Sequence, residues 1–284
     1  MRLATGDYIY VVADDDFGFD RAMISLPGLI AQHANDRSVV GITGMYAVEH
    51  SNGSSIVGYE NLDANDVTAR VMGYLAHQGV NVMVYSPVRR DLFQRIFGFV
   101  GAMPFPFSFH DQISCLLYLL NGKFARLKRL MYLYDVGEWE TAESAQKRDL
   151  DFYNASKLDP ATNKLHWFIC AFEGAVLIRN SDMFPDYPLA QRQAMADRWF
   201  STMYFRFVNS KRTGFDSPLS RNADLLCEKW KVSAPRLSFH DMLADISTFI
   251  ALSSKEGAQT FSDYWNATLS KGSSVGQQRR AAGQ

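Results

Sequence analysis

The sequence is poor in cysteine and has no long apolar stretch. Its three cysteines, Cys115, Cys170 and Cys227, are far apart and lie in apolar sequence, which favours reduced, packed side chains over a disulfide framework or a zinc site. No stretch reaches the ~20 apolar residues that a membrane-spanning helix requires, and residues 1–7 lack the apolar core of a signal peptide. These absences predict a cytoplasmic protein without a transmembrane segment.

An excess of charge of either sign is also absent. The 284 residues carry a formal net charge of −1, and lysine and arginine are scattered apart from short runs such as residues 123–129. Because a protein that binds nucleic acid usually shows a broad basic surface, nucleic acid is not an expected partner. The chain has no nucleophile elbow, phosphate-binding glycine loop or HExxH motif either. Its 47% hydrophobic content predicts a globular protein with one large or two modest domains.

Three consecutive aspartates follow the first strand-like segment. The apolar run at residues 8–13 predicts a buried strand of a parallel sheet, and Asp14, Asp15 and Asp16 come directly after it. Sheets of this type bind ligands beyond the carboxyl ends of their strands. Adjacent carboxylates repel one another unless a cation neutralises them, and hard oxygen ligands suit Mg²⁺ or Mn²⁺ together with a substrate phosphate. The pattern therefore predicts a divalent-metal site for a phosphate-bearing substrate.

A structural role explains the same acidic run equally well. Aspartates that follow a strand also form turns and cap helices, and Asp16 or Asp20 is a candidate cap for a helix predicted at about residues 19–33. From the acidic run alone, the turn-and-cap interpretation and the metal-site interpretation both stay open.

Strand and helix patterns alternate up to about residue 150. Further strands are expected at residues 38–44, 80–85 and 124–134, and a hairpin over residues 45–60 with its turn at Asn52 and Gly53. Helices are expected at about residues 65–77, 87–97 and 108–120. Because a strand–helix–strand unit normally forms a right-handed parallel crossover, we predict an α/β fold with a mostly parallel sheet and flanking helices.

Helical patterns dominate the rest of the chain, notably at residues 189–208, 220–230 and 239–252. The predicted domains are residues 1–150, an α/β domain; residues 151–271, a mainly helical region; and residues 272–284, a flexible tail rich in Gly, Ser, Gln and Arg. The motif Ser-Phe-His-Asp occurs at residues 108–111 and again at 238–241, each time before an apolar helical run, and predicts a capping box at each helix start.

Residues 4–17, which end in the acidic run, resemble the metal-binding strand of GT-A glycosyltransferases of the family-2 type. Residues 81–93 are similar to the acceptor-side strand and helix of that family, and residues 109–123 to the segment that carries its general base. The resemblance covers about residues 4–140. It implies a partial GT-A fold, which is Rossmann-like, followed by the helical C-terminal region.

The resemblance also implies a function and its residues. Asp14, Asp15 and Asp16 would hold Mn²⁺ or Mg²⁺ against the diphosphate of a nucleotide-sugar donor, and Asp111 would be the general base of an inverting transfer to a hydroxyl of a glycan or other acceptor. Two further residues are candidates for substrate contact. His110 would adjust the base or contact the acceptor, although a loop histidine without a chemical role is the structural alternative. Trp139 would stack on a sugar, and the alternative for this residue is an anchor that packs the helical region.

The chain departs from that family at its N-terminus. In the family, strands and loops that bind the nucleobase and ribose precede the acidic strand, whereas only a handful of residues precede it here. We therefore expect a truncated transferase domain whose first strand exposes an unpaired edge, to be covered by a second copy or another partner. Two other functions stay open: a catalytically incompetent transferase remnant that acts as a binding or scaffold protein, and a carboxylate-based glycoside hydrolase that uses Asp14 or Asp16 with Asp111.

Overall fold

The computed structural model describes residues 5–13, 16–77, 81–105, 109–136, 141–210 and 215–282. The chain has an α/β fold and divides into two compact units. Unit 1 comprises Met1–Gly101, His110–Ala145 and Met183–Pro185, and unit 2 comprises Ala102–Phe109, Gln146–Asp182 and Asp186–Gln284.

Unit 1 contains a single mixed sheet within the described ranges. Its strands are β1 (Tyr8–Ile9), β2 (Phe17–Gly18), β3 (Val39–His50), β4 (Gly53–Gly58), β5 (Val88–Arg89) and β6 (Lys123–Asp135). The strand order is β1-β5-β3-β6-β2, and β4 pairs with β3 beside this path. The long strands β3 and β6 are parallel, and all the other pairs are antiparallel. The prediction of a mostly parallel sheet is therefore wrong.

The physical reason is that burial does not determine the direction of a neighbouring strand. Nearly every residue of β3 is buried, as expected for a strand covered on both faces. However, β3 runs parallel to β6 and antiparallel to both β4 and β5. The same apolar run therefore fits a parallel, an antiparallel or a mixed sheet.

The first strand is also much shorter than the apolar run at residues 8–13 predicts. β1 consists of Tyr8 and Ile9 and is antiparallel to β5. The chain then leaves the sheet, and Val11 and Val12 in this segment are 37% and 47% exposed. It rejoins the sheet at β2, which pairs with β6 at the opposite end of the strand order. Asp16, the described residue of the acidic run, thus directly precedes β2 and does not follow a buried parallel strand.

Two local predictions are corrected in the same way. Val82–Tyr85 forms a 3-10 turn where a strand is expected, since a short buried apolar run does not by itself separate a strand from a turn. No side chain caps the helix that follows the acidic run: Phe19 is its N-cap residue and makes no side-chain capping bond. Asp20 instead lies in the first turn, where the helix dipole favours an acid.

The helices expected in unit 1 are confirmed. They are α1 (Asp20–Gln32), α2 (Val67–Leu75), α3 (Arg90–Gly101) and α4 (His110–Asn121). Asp66 caps α2 by accepting a hydrogen bond from the backbone N–H of Ala69 over 2.9 Å. The β3–β4 hairpin is confirmed as well, but its two-residue loop is formed by Ser51 and Asn52, one residue earlier than the predicted turn at Asn52 and Gly53. Gly53 begins β4 with a φ of +140°, a conformation that favours glycine.

The helices that follow along the chain are α5 (Ala142–Ala155), α6 (His166–Asn180), α7 (Leu189–Asn209), α8 (Ser220–Ser233), α9 (Phe239–Ala251) and α10 (Lys255–Ala282). Buried aromatic side chains fill unit 2. Phe168 on α6 stacks on Trp230 with ring centroids 3.7 Å apart, and the indole Nε1–H of Trp199 donates to the carbonyl oxygen of Cys170 over 3.0 Å. Because α6 is buried over nearly its whole length, it is the central helix of this unit.

The helices predicted from the sequence at α7, α8 and α9 are confirmed, as is the capping box at Ser238 and Asp241. The corresponding Ser108 lies outside the described residues. The last helix, α10, continues to Ala282 and so passes residue 272, where the sequence predicts the start of a tail. Within the described ranges, no helix combines the length and apolar character needed to cross a membrane.

Candidate functional site

The structure describes three of the predicted site residues, Asp16, His110 and Asp111. The other three, Asp14, Asp15 and Trp139, lie outside the described residues. The metal-binding role of the first two and the sugar-stacking role of Trp139 therefore stay predictions.

Asp111 lies in the first turn of α4 and is held by two hydrogen bonds. Its Oδ1 accepts the backbone N–H of Gln112 over 2.7 Å, and its Oδ2 accepts the side-chain Nδ2–H of Asn81 over 3.0 Å. An acid suits this place because the first N–H groups of a helix lack partners within the helix and the helix dipole favours a negative charge. The carboxylate is thus fixed in orientation, while the residue stays partly exposed.

Asn81 is itself fixed by a second helix. Its Oδ1 accepts the hydroxyl of Tyr74, on α2, over 3.0 Å, so its Nδ2 is left to donate to Asp111. The thiol of Cys115 lies 3.7–3.8 Å from the two polar atoms of the same amide. Cys115 follows Asp111 by four residues on α4 and therefore shares its helix face. These contacts leave the Asn81 amide one consistent orientation.

The surroundings of Asp111 change its acidity. Burial raises the pKa of Asp111 above the ordinary range of an aspartate, although the bonds from Asn81 and Gln112 and the neighbouring His110 act in the opposite direction. Burial also raises the pKa of the Cys115 thiol, and the negative charge of Asp111 adds to this effect. Cys115 therefore stays a neutral thiol at pH 7, whereas Asp111 is a carboxylate with increased affinity for a proton.

Asp16 is buried, with 7% of its surface exposed, and both of its carboxylate oxygens accept hydrogen bonds from β6. The hydroxyl of Tyr132 donates to Oδ2 over 2.7 Å, and the backbone N–H of Asp135 donates to Oδ1 over 2.9 Å. The same Tyr132 hydroxyl accepts the N–H of Ala13 over 3.1 Å. Because burial raises the pKa of Tyr132, its hydroxyl keeps its proton and remains a donor to Asp16.

These contacts are compatible with Asp16 as a metal ligand. An ionised carboxylate offers about four lone-pair sites, of which the two bonds from β6 use two, and carboxylates that bind metals are normally supported by such hydrogen bonds. Asp16 therefore fits as one carboxylate ligand of a divalent cation. In the part of the chain that the structure describes, no group of three or more His, Cys, Asp or Glu side chains is placed to hold a metal.

Asp16 and Asp111 belong to the same unit but do not contact each other directly in the described structure. The buried Tyr46 belongs to the same unit, and its hydroxyl is hydrogen-bonded with those of Thr43 and Ser86. Burial raises the pKa of Tyr46 to about 12, so this residue stays neutral at pH 7.

The residues that position these two carboxylates were not predicted from the sequence. Asn81 and Tyr132 are separated from Asp111 and Asp16 by 30 and 116 positions, so no local motif relates them. The one local signal is the four-residue spacing of Asp111 and Cys115, which places both on one face of the predicted helix.

A large groove lies in unit 2, and its lining includes none of the described site residues. Its volume is about 1090 Å³, and Leu189, Phe205 and Val208 are exposed hydrophobic residues in its lining. The guanidinium of Arg179 lies over the ring of Phe239 at 5.3 Å on another part of this lining. The groove is large enough for a ligand or a peptide segment.

Comparisons of the chain with protein-family models, with curated proteins and with solved structures found no match. The inference about function therefore depends on the residues and contacts described above.

Proposed function

We propose that this protein is a metal-dependent glycosyltransferase that moves a sugar from a nucleotide-sugar donor to a hydroxyl of a glycan or other acceptor, with inversion. The observation that carries the proposal is the state of Asp111: the residue is half-buried, and its carboxylate has a raised pKa and is fixed in place by Asn81. A general base needs both an affinity for protons and a defined position.

In the proposed reaction, Asp111 accepts the proton of the acceptor hydroxyl while that oxygen forms a bond to the anomeric carbon of the donor sugar. The bond from this carbon to the diphosphate breaks, and the nucleoside diphosphate leaves. Asn81 keeps Oδ2 of Asp111 oriented by its hydrogen bond, and Tyr74 keeps Asn81 oriented in turn. Because the reacting oxygen approaches opposite to the leaving group, a single displacement inverts the anomeric carbon.

Asp16, with Asp14 and Asp15, would hold Mn²⁺ or Mg²⁺ in this proposal. The cation, when bound, supplies charge neutralisation for the diphosphate leaving group. The support for Asp16 in this role is its pair of hydrogen bonds to β6, since these fix the direction of the carboxylate. His110 and Trp139 are the proposed contacts to the substrate.

A second candidate is a binding protein without catalytic activity. Both carboxylate oxygens of Asp16 are already hydrogen-bonded within unit 1, which is compatible with a purely structural acidic run. β1 also lies at one end of the strand order, which leaves its second edge open to a partner or a second copy among the described residues. This candidate predicts partner binding that is independent of metal and of Asp111.

Turnover distinguishes the two candidates. The release of UDP or GDP from a panel of nucleotide sugars is measured with Mn²⁺, first with water and then with added sugar acceptors. The glycosyltransferase proposal predicts metal-dependent release that falls about 100-fold or more in Asp111→Asn. The control variant Asp63→Asn, at another acidic residue outside the site, should retain the wild-type rate. Equal rates in wild type and Asp111→Asn would contradict the proposed role of Asp111.

A further inference from the structure

A polar cavity of about 350 Å³ lies in unit 1 at the start of β1. Its charged lining residues are Asp7, Arg37, Arg89, Arg90 and Asp91. Tyr8, the first residue of β1, also lines it, whereas the acidic run follows the other end of that strand. None of the described site residues, Asp16, His110 and Asp111, lines the cavity. Its volume lies within the range of ~300–1000 Å³ that is usual for small-ligand sites.

Arg89 supplies a buried positive charge to this cavity. The residue is 8% exposed, and its Nε and Nη2 groups donate to backbone carbonyl oxygens, including those of Val39 at 2.7 Å and His33 at 2.9 Å. These bonds hold the C-terminal end of α1 in place. Among the described residues, the hydrogen bonds of Arg89 come from Nε and Nη2 and go to four backbone carbonyl oxygens, so none of them uses Nη1 or a carboxylate. A buried guanidinium in this state retains both charge and donor capacity for a ligand.

Tyr8 supplies a donor beside this charge. Its hydroxyl is buried and has no hydrogen-bond partner within the described residues. The guanidinium of Arg89 lies over its ring at 5.4 Å. Burial raises the pKa of Tyr8, so the hydroxyl keeps its proton at neutral pH. This buried O–H group needs a hydrogen-bond acceptor, which a ligand or a water molecule can supply.

The acids in the lining do not cancel this charge. The cavity has three arginines and two aspartates. Asp91 is paired with Arg37 at 3.9 Å, and the side chains of this pair are 74% and 79% exposed, so solvent screens both charges. Asp7 is exposed as well. The charge that solvent does not screen is that of the buried Arg89, and it favours an anion.

We propose that this cavity binds a phosphate group, either as inorganic phosphate or as part of a small phosphomonoester. Arg89 Nη1 and the Tyr8 hydroxyl donate to its oxygens, and Arg37 contributes charge at the entrance. A phosphate group suits these donors because its oxygens accept several charge-assisted hydrogen bonds at once.

The test is isothermal titration of inorganic phosphate, and separately of glycerol phosphate, into the wild-type chain without divalent metal. One saturable site is expected. Tighter binding of inorganic phosphate would indicate the free anion as the ligand, and tighter binding of glycerol phosphate would indicate a phosphomonoester. Tyr8→Phe keeps the ring and removes only the hydroxyl, so it should weaken binding about tenfold. Arg37→Gln, at an exposed position, should weaken binding roughly threefold.

Arg21→Gln is the matched control, because Arg21 is exposed on α1 and does not line the cavity. This variant should bind phosphate as the wild type does.

Phosphate should also raise the melting temperature of the wild type more than that of Tyr8→Phe, since a ligand stabilises the folded state that binds it. The proposal is wrong if the folded wild type shows no saturable binding, or if Tyr8→Phe binds equally well. Asp14→Ala/Asp16→Ala should leave this binding unchanged, which separates it from the proposed donor site.

Discussion

The Tyr132 hydroxyl donates a hydrogen bond to Oδ2 of Asp16 over 2.7 Å, and this bond ties the end of the acidic run to β6. The residues are 116 positions apart, so the bond is a tertiary contact of the sheet. Together with the N–H of Asp135, it gives the Asp16 carboxylate a fixed orientation. Asp111 is fixed in a similar way by Asn81, so each of the two proposed functional carboxylates has a defined supporting residue.

Tyr132→Phe should lower the free energy of unfolding by about 1–3 kcal/mol, because both Asp16 Oδ2 and the Ala13 N–H lose a buried partner. Tyr10→Phe is the matched control, since the Tyr10 hydroxyl donates only one longer bond, to the Met131 carbonyl oxygen at 3.4 Å. Urea denaturation of the two variants should show the smaller loss for Tyr10→Phe. Equal losses would contradict a special role for the bond to Asp16.

Asp111 should make the stability of the protein depend on pH. Its raised pKa means that the folded state binds this proton more tightly than the unfolded state does. The resulting stabilisation is complete below the unfolded pKa of about 3.9 and is lost as the pH rises through the raised folded pKa. Asp111→Asn cannot titrate at this position. The free energy of unfolding of the wild type should therefore fall, relative to that of Asp111→Asn, as the pH rises from about 3.5 to 7. Chemical denaturation across this pH range measures it, and a shift in the opposite direction would contradict the raised pKa.

Asn81→Ala should raise the pKa of Asp111 further. The amide of Asn81 stabilises the charged carboxylate through its hydrogen bond, and its removal leaves burial as the dominant effect. Titration of the Asp111 carboxyl carbon by NMR measures the shift directly. Asn121→Ala, at the other end of α4, removes a matched amide and should leave this titration unchanged. An unchanged pKa in Asn81→Ala would refute Asn81 as the positioning residue.

Two glycines in helices of unit 1 should respond oppositely to substitution by alanine. A Cβ at Gly73, in α2, would overlap the carbonyl oxygen of Glu60, so Gly73→Ala should cost about 1–3 kcal/mol or more. Gly28, in α1, is exposed and has open space around it, so Gly28→Ala should stabilise the protein by about 0.4–1 kcal/mol. Thermal unfolding of both variants checks the pair. A Gly73→Ala variant as stable as the wild type would contradict the close approach of α2 to Glu60.

Local patterns in the sequence predicted the parts of the fold that local interactions determine. The apolar helix α4, the capping box of Ser238 and Asp241 and the β3–β4 hairpin each depend on residues close in sequence, and each is confirmed. The two-residue strands β1 and β5 depend on pairing between distant segments. The sequence predicted a longer, parallel strand in place of β1, and it placed the residues of β5 in a helix. Their neighbours are chosen by tertiary contacts, which a periodic pattern does not report.

The same limit applies to the candidate site. Asp111 was predicted from its place at the start of a helix in a family-like segment, and the structure describes it there. Asn81 could not be predicted as its partner, because the segment that positions it was expected to be a strand and forms a 3-10 turn. Arg89 fell within the helix predicted at residues 87–97. It lies instead in β5, and its hydrogen bonds to four backbone carbonyl oxygens come from segments distant in sequence, which no local pattern reports.

The central claim is that the acidic run binds a nucleotide-sugar donor through a divalent cation. Isothermal titration of Mn²⁺ followed by UDP, and in a second series by GDP, tests it most directly in the wild type, in Asp14→Ala/Asp16→Ala and in the control Asp20→Ala. We predict that the wild type and Asp20→Ala bind one of the nucleotides only when Mn²⁺ is present, and that the double variant does not. A well-folded wild type that binds neither nucleotide with Mn²⁺, or a double variant that binds as tightly as the wild type, would contradict the claim.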